Sequence, residues 1–426
     1  MKRVLALVMA LMLLTALLPT LAVAEAPIEL VIWGGVPGEN GPDALCEAFN
    51  AENNGKYHAT YYRFVNDDSG NTKLDTALLS GEQIDIFFTY TVANIDKRSN
   101  GNMMADLAAL GAEDWIKETM VDGALQYYND KLVTIPTNYE PQIMFLNKDM
   151  FDAAGIEIPK SWTLDEYREI AKKLTTADTY GAYSYRYGRN YVQDALGANW
   201  WYNEDGTASG FNNETAKNIM NTFYEMDTLD KSSYPYSEIL SLGISAYPQD
   251  LIINGKVAII ESSYWFLRYF KNLTDYAHDF ITAFAPIPTV TEDGYNHGAM
   301  NNYISISESC KNKEAAWEFV KYWIAGGYDK LYVGGKIPLV KSGVDNEKAV
   351  VGLLGENAEK LFDVDSFLNI FNSTFQFSQQ TVTTAFSEIE QIYNEETDNL
   401  FLGATDMDTY MSTVDTRITQ AIQDAN

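Results

Sequence analysis

KLVTIPTNYEPQIMFLNKDMFDAAGIEIPKSWTLDEYREIAKKLT, residues 131–175, is the stretch that decides the fold. Its first six residues, 131–136, are rich in β-branched side chains and end at a proline, as a short strand does. The apolar run at 143–146 is too short for a helix and predicts a second, buried strand. The polar residues between the two strands, 137–141, predict a segment that crosses from one to the other.

Two helices are predicted after the second strand. The first begins near Asn147 and ends at Gly155, since glycine commonly ends a helix. The second follows Thr163, and its apolar residues recur at helical spacing on one face: Leu164, Tyr167, Ile170, Ala171 and Leu174. A strand, a crossing, a strand and two helices are therefore expected in this order.

This order of elements resembles the signature of the extracellular solute-binding proteins of ABC importers (family 1), in particular the maltose-binding, carbohydrate type. That family has a GKLYGLP strand, a crossing segment, the sequence YNKDLFEKAG, and P-TWDE before a helix that ends in AKKLT. The matching positions here are residues 130–132, 136, 147–149, 151, 154–155, 162, 165–166 and 171–175. Leu146 replaces the tyrosine of the family's YNK.

Further stretches are similar to the same family along nearly the whole chain. Residues 78–85 resemble its L-x-SGE-x-xD pattern, and residues 311–320 resemble one of its helices, with Cys310 in place of a serine. Residues 251–265 resemble the turn and strand that deliver a tryptophan, here Trp265, to the family's ligand cleft. A core position is the alternative for Trp265.

A chain of 426 residues exceeds one hydrophobic core, so two domains are expected. Residues 28–89 alternate strands and helices, which predicts a parallel sheet. The resemblance implies an α/β protein with the two-domain, type II periplasmic-binding-protein-like fold: two lobes, each a mostly parallel sheet flanked by helices, joined by three hinge crossings. We predict an N-terminal lobe from residues 25–137 and 285–340 and a C-terminal lobe from 138–284 and 341–426, with the third crossing at 336–340.

Residues 1–24 are predicted to be a signal peptide, with a basic start, an apolar segment at 4–18 and a small-residue cleavage site at 22–24. A transmembrane anchor is the weaker interpretation, because the apolar segment is short and ends at Pro19. Removal of the signal leaves 28 of the 30 basic residues against 59 acidic ones, a net charge near −31. Such a charge argues against nucleic acid and anionic membranes as partners.

The two cysteines bear on location and on redox state. No cysteine follows the cleavage site, so a lipid anchor is not supported, and we expect a protein secreted across the cytoplasmic membrane into the periplasm or the extracellular cell envelope. Cys46 and Cys310 are expected to be buried free thiols, and a disulfide between them is the alternative.

Motifs for several kinds of chemistry are missing. The glycines at 34–38 lack the G-x-G-x-x-G order, and Pro37 removes an amide that a phosphate would need. No metal or other cofactor is predicted, because the three histidines are scattered: His58, His278 and His297. The paired carboxylates of a glycoside hydrolase stay open, since their separation is a spatial property.

The resemblance implies a binding protein rather than an enzyme. A monomer would capture a carbohydrate, a mono- or oligosaccharide, between its lobes by hinge closure and deliver it to the membrane permease subunits of an ABC transporter. The 28 tyrosines and 8 tryptophans suit sugar rings, although most of the tyrosines are expected in ordinary surfaces and cores. A sensory receptor of the same fold is the first alternative, and a secreted glycoside hydrolase is the second.

The resemblance also implies the ligand-binding residues, which belong at strand ends and loops that face the cleft. They are Trp33, Glu39, Thr89, Tyr90, Tyr139, Glu140, Tyr191, Trp201, Trp265 and Asn302. Glu140, four residues after Pro136 and seven before Asn147, matches a cleft carboxylate of maltose-binding relatives and can accept from two sugar hydroxyls. A hinge carboxylate bonded to local amides is the alternative for Glu140. Trp265 would stack on a sugar ring.

Overall fold

The computed structural model describes residues 26–128, 130–186, 188–244, 247–290, 296–377, 380 and 382–425, and the predicted signal peptide lies outside these ranges. The strands are β1 (Ile28–Gly34), β2 (Tyr57–Arg63), β3 (Ile86–Thr89), β4 (Ile135–Pro141), β5 (Ile143–Asn147), β6 (Tyr180–Tyr183), β7 (Val257–Ser262), β8 (Thr282–Pro286), β9 (Asn296–Ile306), β10 (Ile337–Pro338) and β11 (Phe375–Phe377). The α-helices are α1 (Pro42–Glu52), α2 (Asp68–Ser80), α3 (Val92–Asn100), α4 (Ala112–Thr119), α5 (Lys148–Ala153), α6 (Leu164–Leu174), α7 (Gly188–Leu196), α8 (Glu214–Thr228), α9 (Tyr236–Leu242), α10 (Gln249–Ile253), α11 (Leu267–Lys271), α12 (Lys313–Lys321), α13 (Asn346–Leu354), α14 (Val364–Phe371), α15 (Phe386–Phe401) and α16 (Met407–Ala425).

The strands form two sheets. The first has the order β10-β4-β9-β3-β1-β2, with β11 beside β9, and the second has the order β6-β7-β5-β8. In the first sheet β1 pairs in parallel with β2 and β3, as the alternation of strands and helices predicts. Two sheets with helices around them confirm the two-domain α/β fold class.

The pairing is less parallel than expected. Strand β9 runs antiparallel to β3 and β4, and β5 runs antiparallel to both β7 and β8. The expectation of mostly parallel sheets therefore needs correction. Parallel neighbours need a crossover connection, usually a helix, whereas β5 comes directly from a strand of the other sheet and is free of that constraint.

The first passage between the sheets is shorter than predicted, and the strand before it lies further along the chain. Strand β4 covers Ile135–Pro141, so the polar residues predicted as a crossing belong to it, and Gln142 alone separates it from β5. The polar segment is stable as a strand because its backbone pairs with β9, with Glu140 opposite Ala299. Thr137 Oγ also donates to the carbonyl oxygen of Asn302, at 2.9 Å.

The predicted third crossing, residues 336–340, is also placed differently. Ile337–Pro338 pairs with β4 inside the first sheet, and Val340 bridges to Met120. The chain reaches the second sheet only later, where Phe362 bridges to Thr282. The exact lobe limits stay a prediction.

Local signals in the central stretch are confirmed. Helix α6 begins with a capping box, in which Thr163 and Glu166 each accept from the other's backbone N–H, at 3.2 and 2.8 Å. Its predicted apolar face is buried at Leu164, Tyr167, Ala171 and Leu174, and Ile170 packs against the same core. The helix is thus held by its cap and its buried face.

Cys46 and Cys310 are buried free thiols, as predicted. Burial raises the pKa of each thiol to about 12, so both stay protonated and unreactive near neutral pH. Within the described ranges, no helix combines the length and the apolar character that crossing a membrane requires.

Candidate ligand-binding groove between the two sheets

A groove with two neighbouring chambers lies between the sheets. Each chamber has a volume of about 360 Å³, and the two share Tyr90, Arg189 and Asn190. The first chamber is lined by Gly35, Val36, Asn66, Tyr90, Glu140, Gln142, Arg189, Asn190, Tyr247, Pro248, Glu261, Ser262, Ser263, Trp265, Arg268, Asn301, Asn302 and Lys336. The second is lined by Tyr90, Thr91, Val92, Asp122, Gly123, Gln126, Tyr128, Arg189, Asn190, Gln193, Trp200, Trp201, Ala299, Met300, Tyr303, Gln380, Phe386 and Glu390.

Tyr90 stands at the centre of the groove because β3 ends at Thr89, directly before it. The Tyr90 hydroxyl accepts a hydrogen bond from the backbone N–H of Gly35, which follows β1, at 2.5 Å. Its ring is partly exposed, while burial of the hydroxyl raises the pKa of Tyr90 above its usual value. Two parallel strand ends thereby place one neutral phenol where both chambers meet.

A buried ionic cluster behind Tyr90 fixes this strand end. The guanidinium of Arg98 is fully buried and donates to Asp75 at 2.7 Å, to Thr89 at 2.8 Å and to Asn71 at 2.8 Å. Asp75 and Asn71 belong to α2 and Arg98 to α3, so the cluster joins two helices to the end of β3. Thr89 is therefore held beneath the groove rather than in it.

Glu140 faces the first chamber from β4 and is buried. One of its carboxylate oxygens accepts from the side-chain amide of Asn301 on β9. Asn301 also accepts from the backbone N–H of Asn302, at 2.7 Å, and Asn302 has a left-handed backbone with φ of 53°. The Asn302 side-chain oxygen is buried and has no hydrogen-bond partner among the described residues.

The opposite wall of the first chamber carries Trp265, which lies in a 3-10 helix (Tyr264–Phe266) just after β7. Its ring is partly exposed, with the guanidinium of Arg268 5.1 Å from the ring centroid and the edge of Tyr247 at 6.1 Å. Gly335 packs against this turn, where a Cβ atom on residue 335 would lie 2.5 Å from the backbone nitrogen of Trp265. Only glycine permits this approach, since Gly335 also has φ of 78°.

The second chamber is more aromatic. Trp200 and Trp201 stack on each other with ring centroids 3.8 Å apart, and Trp201 also meets Tyr393 edge to face. Tyr128 and Tyr303 line the side of the first sheet. The chamber is therefore lined by aromatic rings that are themselves largely buried.

The structure brings five of the ten predicted residues to the groove and leaves five outside it. Those in the groove are Tyr90, Glu140, Trp201, Trp265 and Asn302. Trp33 lies under the ammonium of Lys73, Glu39 is exposed on a 3-10 helix (Gly38–Asn40), and Thr89 accepts from Arg98. The Tyr139 ring meets Phe375 edge to face at 5.5 Å, and the buried Tyr191 ring packs on Phe223 at 5.0 Å.

Several charged residues of the groove were not predicted. They are Arg189, Glu261, Arg268 and Lys336, with Asn190 beside them. Arg268 could have been predicted from the sequence, because it follows Trp265 by three residues in a helical segment and so lies on the same face of that segment. Among the described residues, no cluster of three or more His, Cys, Asp or Glu side chains is suited to a metal ion.

The fold and groove define a two-lobed binding protein, and sequence comparison identifies its family. Residues 38–326 match the model of the bacterial extracellular solute-binding protein family, so the chain belongs to that family. The resemblance carried by the central stretch is thereby confirmed. No curated protein sequence matches the chain.

Solved structures with the same fold include three sugar-associated binding proteins. An ABC substrate-binding protein from Listeria monocytogenes in complex with cycloalternan has a TM-score of 0.72 at 20% identity, over 92% of this chain and 98% of that one. The GacH receptor of Streptomyces glaucescens, solved unliganded and with acarbose, has a TM-score of 0.72 at 17% identity, over 94% and 100%. An ABC transporter solute-binding protein from Thermotoga lettingae bound with α-D-tagatose has a TM-score of 0.69 at 16% identity, over 93% and 100%.

Proposed function

We propose that this extracellular solute-binding protein captures a carbohydrate in the groove between its sheets and delivers it to the permease subunits of an ABC transporter. It acts without catalysing a reaction, as a monomer secreted into the periplasm or the cell envelope. The observation that carries the proposal is the lining of the groove, where the partly exposed rings of Tyr90, Tyr247 and Trp265 lie in the same groove as buried side-chain oxygens that have no hydrogen-bond partner among the described residues. A saccharide needs both, because its rings have apolar faces and its edges carry hydroxyls.

The aromatic part consists of Trp265 and Tyr247 in the first chamber, Tyr90 between the chambers, and Trp200 and Trp201 in the second. Trp265 is the stacking platform in this proposal, since its ring is partly exposed in the chamber. The three neighbouring structures named above hold cycloalternan, acarbose and tagatose, all of them saccharides or saccharide analogues. Their ligands support a carbohydrate here.

The polar part is equally specific. Glu140 has a second carboxylate oxygen for sugar hydroxyls besides the one that accepts from Asn301. The buried side-chain oxygens of Asn302 and Ser263 have no partner among the described residues. Buried polar atoms are normally hydrogen-bonded, so these two fit hydroxyls of a ligand. We therefore retain Tyr90, Glu140, Trp201, Trp265 and Asn302 as ligand-binding residues.

Closure about the passages between the sheets is part of the proposal. Gln142 alone joins β4 to β5, so rotation of a few backbone bonds there would move one sheet toward the other. The groove walls come from both sheets: Glu140 and Asn302 from the first, Trp265 and Glu261 from the second. Closure would bring these walls onto the ligand from opposite sides.

A thermal-shift screen with neutral and acidic mono- and oligosaccharides tests the function. We expect at least one saccharide to raise the melting temperature, because a ligand at ~100 times its dissociation constant adds about 2.7 kcal/mol to the free energy of unfolding. Chromatography of the saccharide after incubation should recover it unchanged. Cleavage of the saccharide would indicate a glycoside hydrolase, and a flat response across the panel would contradict carbohydrate binding.

A further inference from the structure

The first chamber contains two cations that form no ion pair with a carboxylate of the described residues. Lys336 is 6% exposed, and within the described ranges its ammonium has no carboxylate within 4.0 Å and no hydrogen-bond acceptor. Arg268 donates to the hydroxyl of Tyr269 at 2.9 Å and lies over the rings of Trp265 and Tyr269, with no carboxylate within 4.0 Å among the same residues.

Three other buried or partly buried cations of the described chain have acceptors for their charge. Arg98, the other buried basic residue that the structure describes, is bonded to Asp75 at 2.7 Å. Arg168 is held by Asp230 at 2.5 Å, and Lys271 donates to backbone carbonyl oxygens, including that of Leu353 at 2.7 Å. Acidic residues outnumber basic ones 59 to 30, so carboxylate partners are abundant in this sequence. The lack of any acceptor at Lys336 among the described residues therefore sets this chamber apart.

An unpaired buried ammonium lowers the stability of the folded protein. The charged groups around Lys336 offset this loss only in part. Burial lowers the pKa of Lys336, the Glu140 carboxylate opposes that effect at a distance, and the Arg268 guanidinium adds to it. Lys336 and Arg268 therefore repel each other in one chamber. An anion placed between them would relieve the repulsion and supply the missing partner.

The carboxylates of the same chamber already have amide partners. Glu140 accepts from Asn301, and Glu261 accepts from the side-chain amide of Asn190 at 2.9 Å. Arg189, the third cation, pairs with Glu390 of the second chamber at 3.2 Å. Glu140 and Glu261 can thus accept hydrogen bonds from ligand hydroxyls, while Lys336 and Arg268 can donate hydrogen bonds to a negatively charged group of the ligand.

We propose that the ligand is an acidic saccharide, with the carboxylate of a uronate residue bound by Lys336 and Arg268 in the first chamber. The inference rests on the proposed function and gives it a ligand class. A carboxylate fits better than a phosphate ester, because a doubly charged group would be repelled more strongly by Glu140 and Glu261. The remaining hydroxyls and ring faces would be bound as in a neutral sugar.

The test is calorimetric titration with matched pairs that differ at C6: glucuronate and glucose, galacturonate and galactose, mannuronate and mannose, each as monomer and short oligomer. We expect at least one acid to bind about tenfold or more tightly than its neutral partner, since a hydrogen bond to a charged group has roughly that effect. The 6-phosphates and 6-sulfates of the same sugars form a third arm. Tighter binding of either ester than of any uronate would overturn the carboxylate assignment.

Lys336→Met, which keeps most of the length of the side chain and removes its charge, is the decisive variant. It should remove the preference for the acid while changing the affinity of the neutral partner less than about threefold, and its ligand-free melting temperature should not fall, because a buried charge is lost. Lys330→Met is the matched control, since Lys330 is more exposed and pairs with Asp329 at 2.7 Å. Glu140→Gln should keep or increase the ratio of acid to neutral affinity, because it removes a like charge near the bound carboxylate.

The possible failures are distinguishable. If a neutral sugar binds as tightly as its acid, or if Lys336→Met leaves the preference intact, the acidic ligand is excluded and carbohydrate capture stands. If no saccharide of any arm binds, both the proposed function and this inference fail.

Discussion

Asp75→Ala lowers the free energy of unfolding by about 3–5 kcal/mol, because it leaves the buried guanidinium of Arg98 without its carboxylate. The Arg98 side chain is fully buried and cannot turn to water, and Thr89 and Asn71 supply only neutral acceptors. Equilibrium unfolding in urea of the purified variant and of the wild type measures the difference.

The control for this prediction is Asp152→Ala. Asp152 also forms a 2.7 Å ion pair, with Lys148 one helical turn away, but its side chain is 59% exposed. Exposed pairs of this kind contribute about 0.2–1 kcal/mol, so a small effect is expected. Similar losses in the two variants would show that the Arg98 cluster is not a special anchor. A loss of ligand affinity in Asp75→Ala would further show that the cluster positions Tyr90.

Trp265→Ala weakens binding of the best saccharide by about 1–3 kcal/mol, roughly 5- to 150-fold, because a stacked ring and its buried area disappear together. Titration calorimetry gives the change in affinity. Folding should persist, since the Trp265 ring is partly exposed in the chamber. Wild-type affinity in this variant would remove Trp265 from the site, and a collapse of the ligand-free melting temperature would assign it to the core.

Trp115→Ala is the matched control. Trp115 is partly exposed too, but it lies in α4 and packs edge to face on Trp317 at 5.4 Å, away from both chambers. We expect this variant to bind the saccharide as the wild type does. A comparable loss of affinity would mean that removing any large ring weakens the protein in general.

The sequence predicts the elements better than it predicts which side chains share a site. Tyr90 and Thr89 are adjacent, yet one faces the groove and the other accepts from Arg98, because neighbouring residues at a strand end point to opposite sides. For the same reason the Trp33 side chain, predicted to face the groove, lies on the other side of the sheet, beside Lys73. A pattern with period two defines the alternation but not which face receives the ligand.

Long-range contacts set a second limit. Glu140 and Asn301 are bonded although 161 residues separate them, and the strand that carries Glu140 extends to Pro141 because β9 pairs with it. Tertiary pairing thus overrode the polar composition that predicted a crossing. Lys336 could not be recognised as a site residue from the sequence, since its lack of a carboxylate partner is a spatial fact.

Small-angle X-ray scattering tests the central claim most directly, namely that a saccharide is captured between two lobes that close on it. The purified protein is measured alone and with a saturating concentration of the saccharide that binds it, with Trp265→Ala at the same concentration as the weak-binding control. We predict a smaller radius of gyration for the liganded wild type and a smaller change for the variant, in proportion to the fraction of it that its measured affinity leaves liganded. An unchanged radius for the wild type with a saccharide shown to be bound would contradict capture by closure.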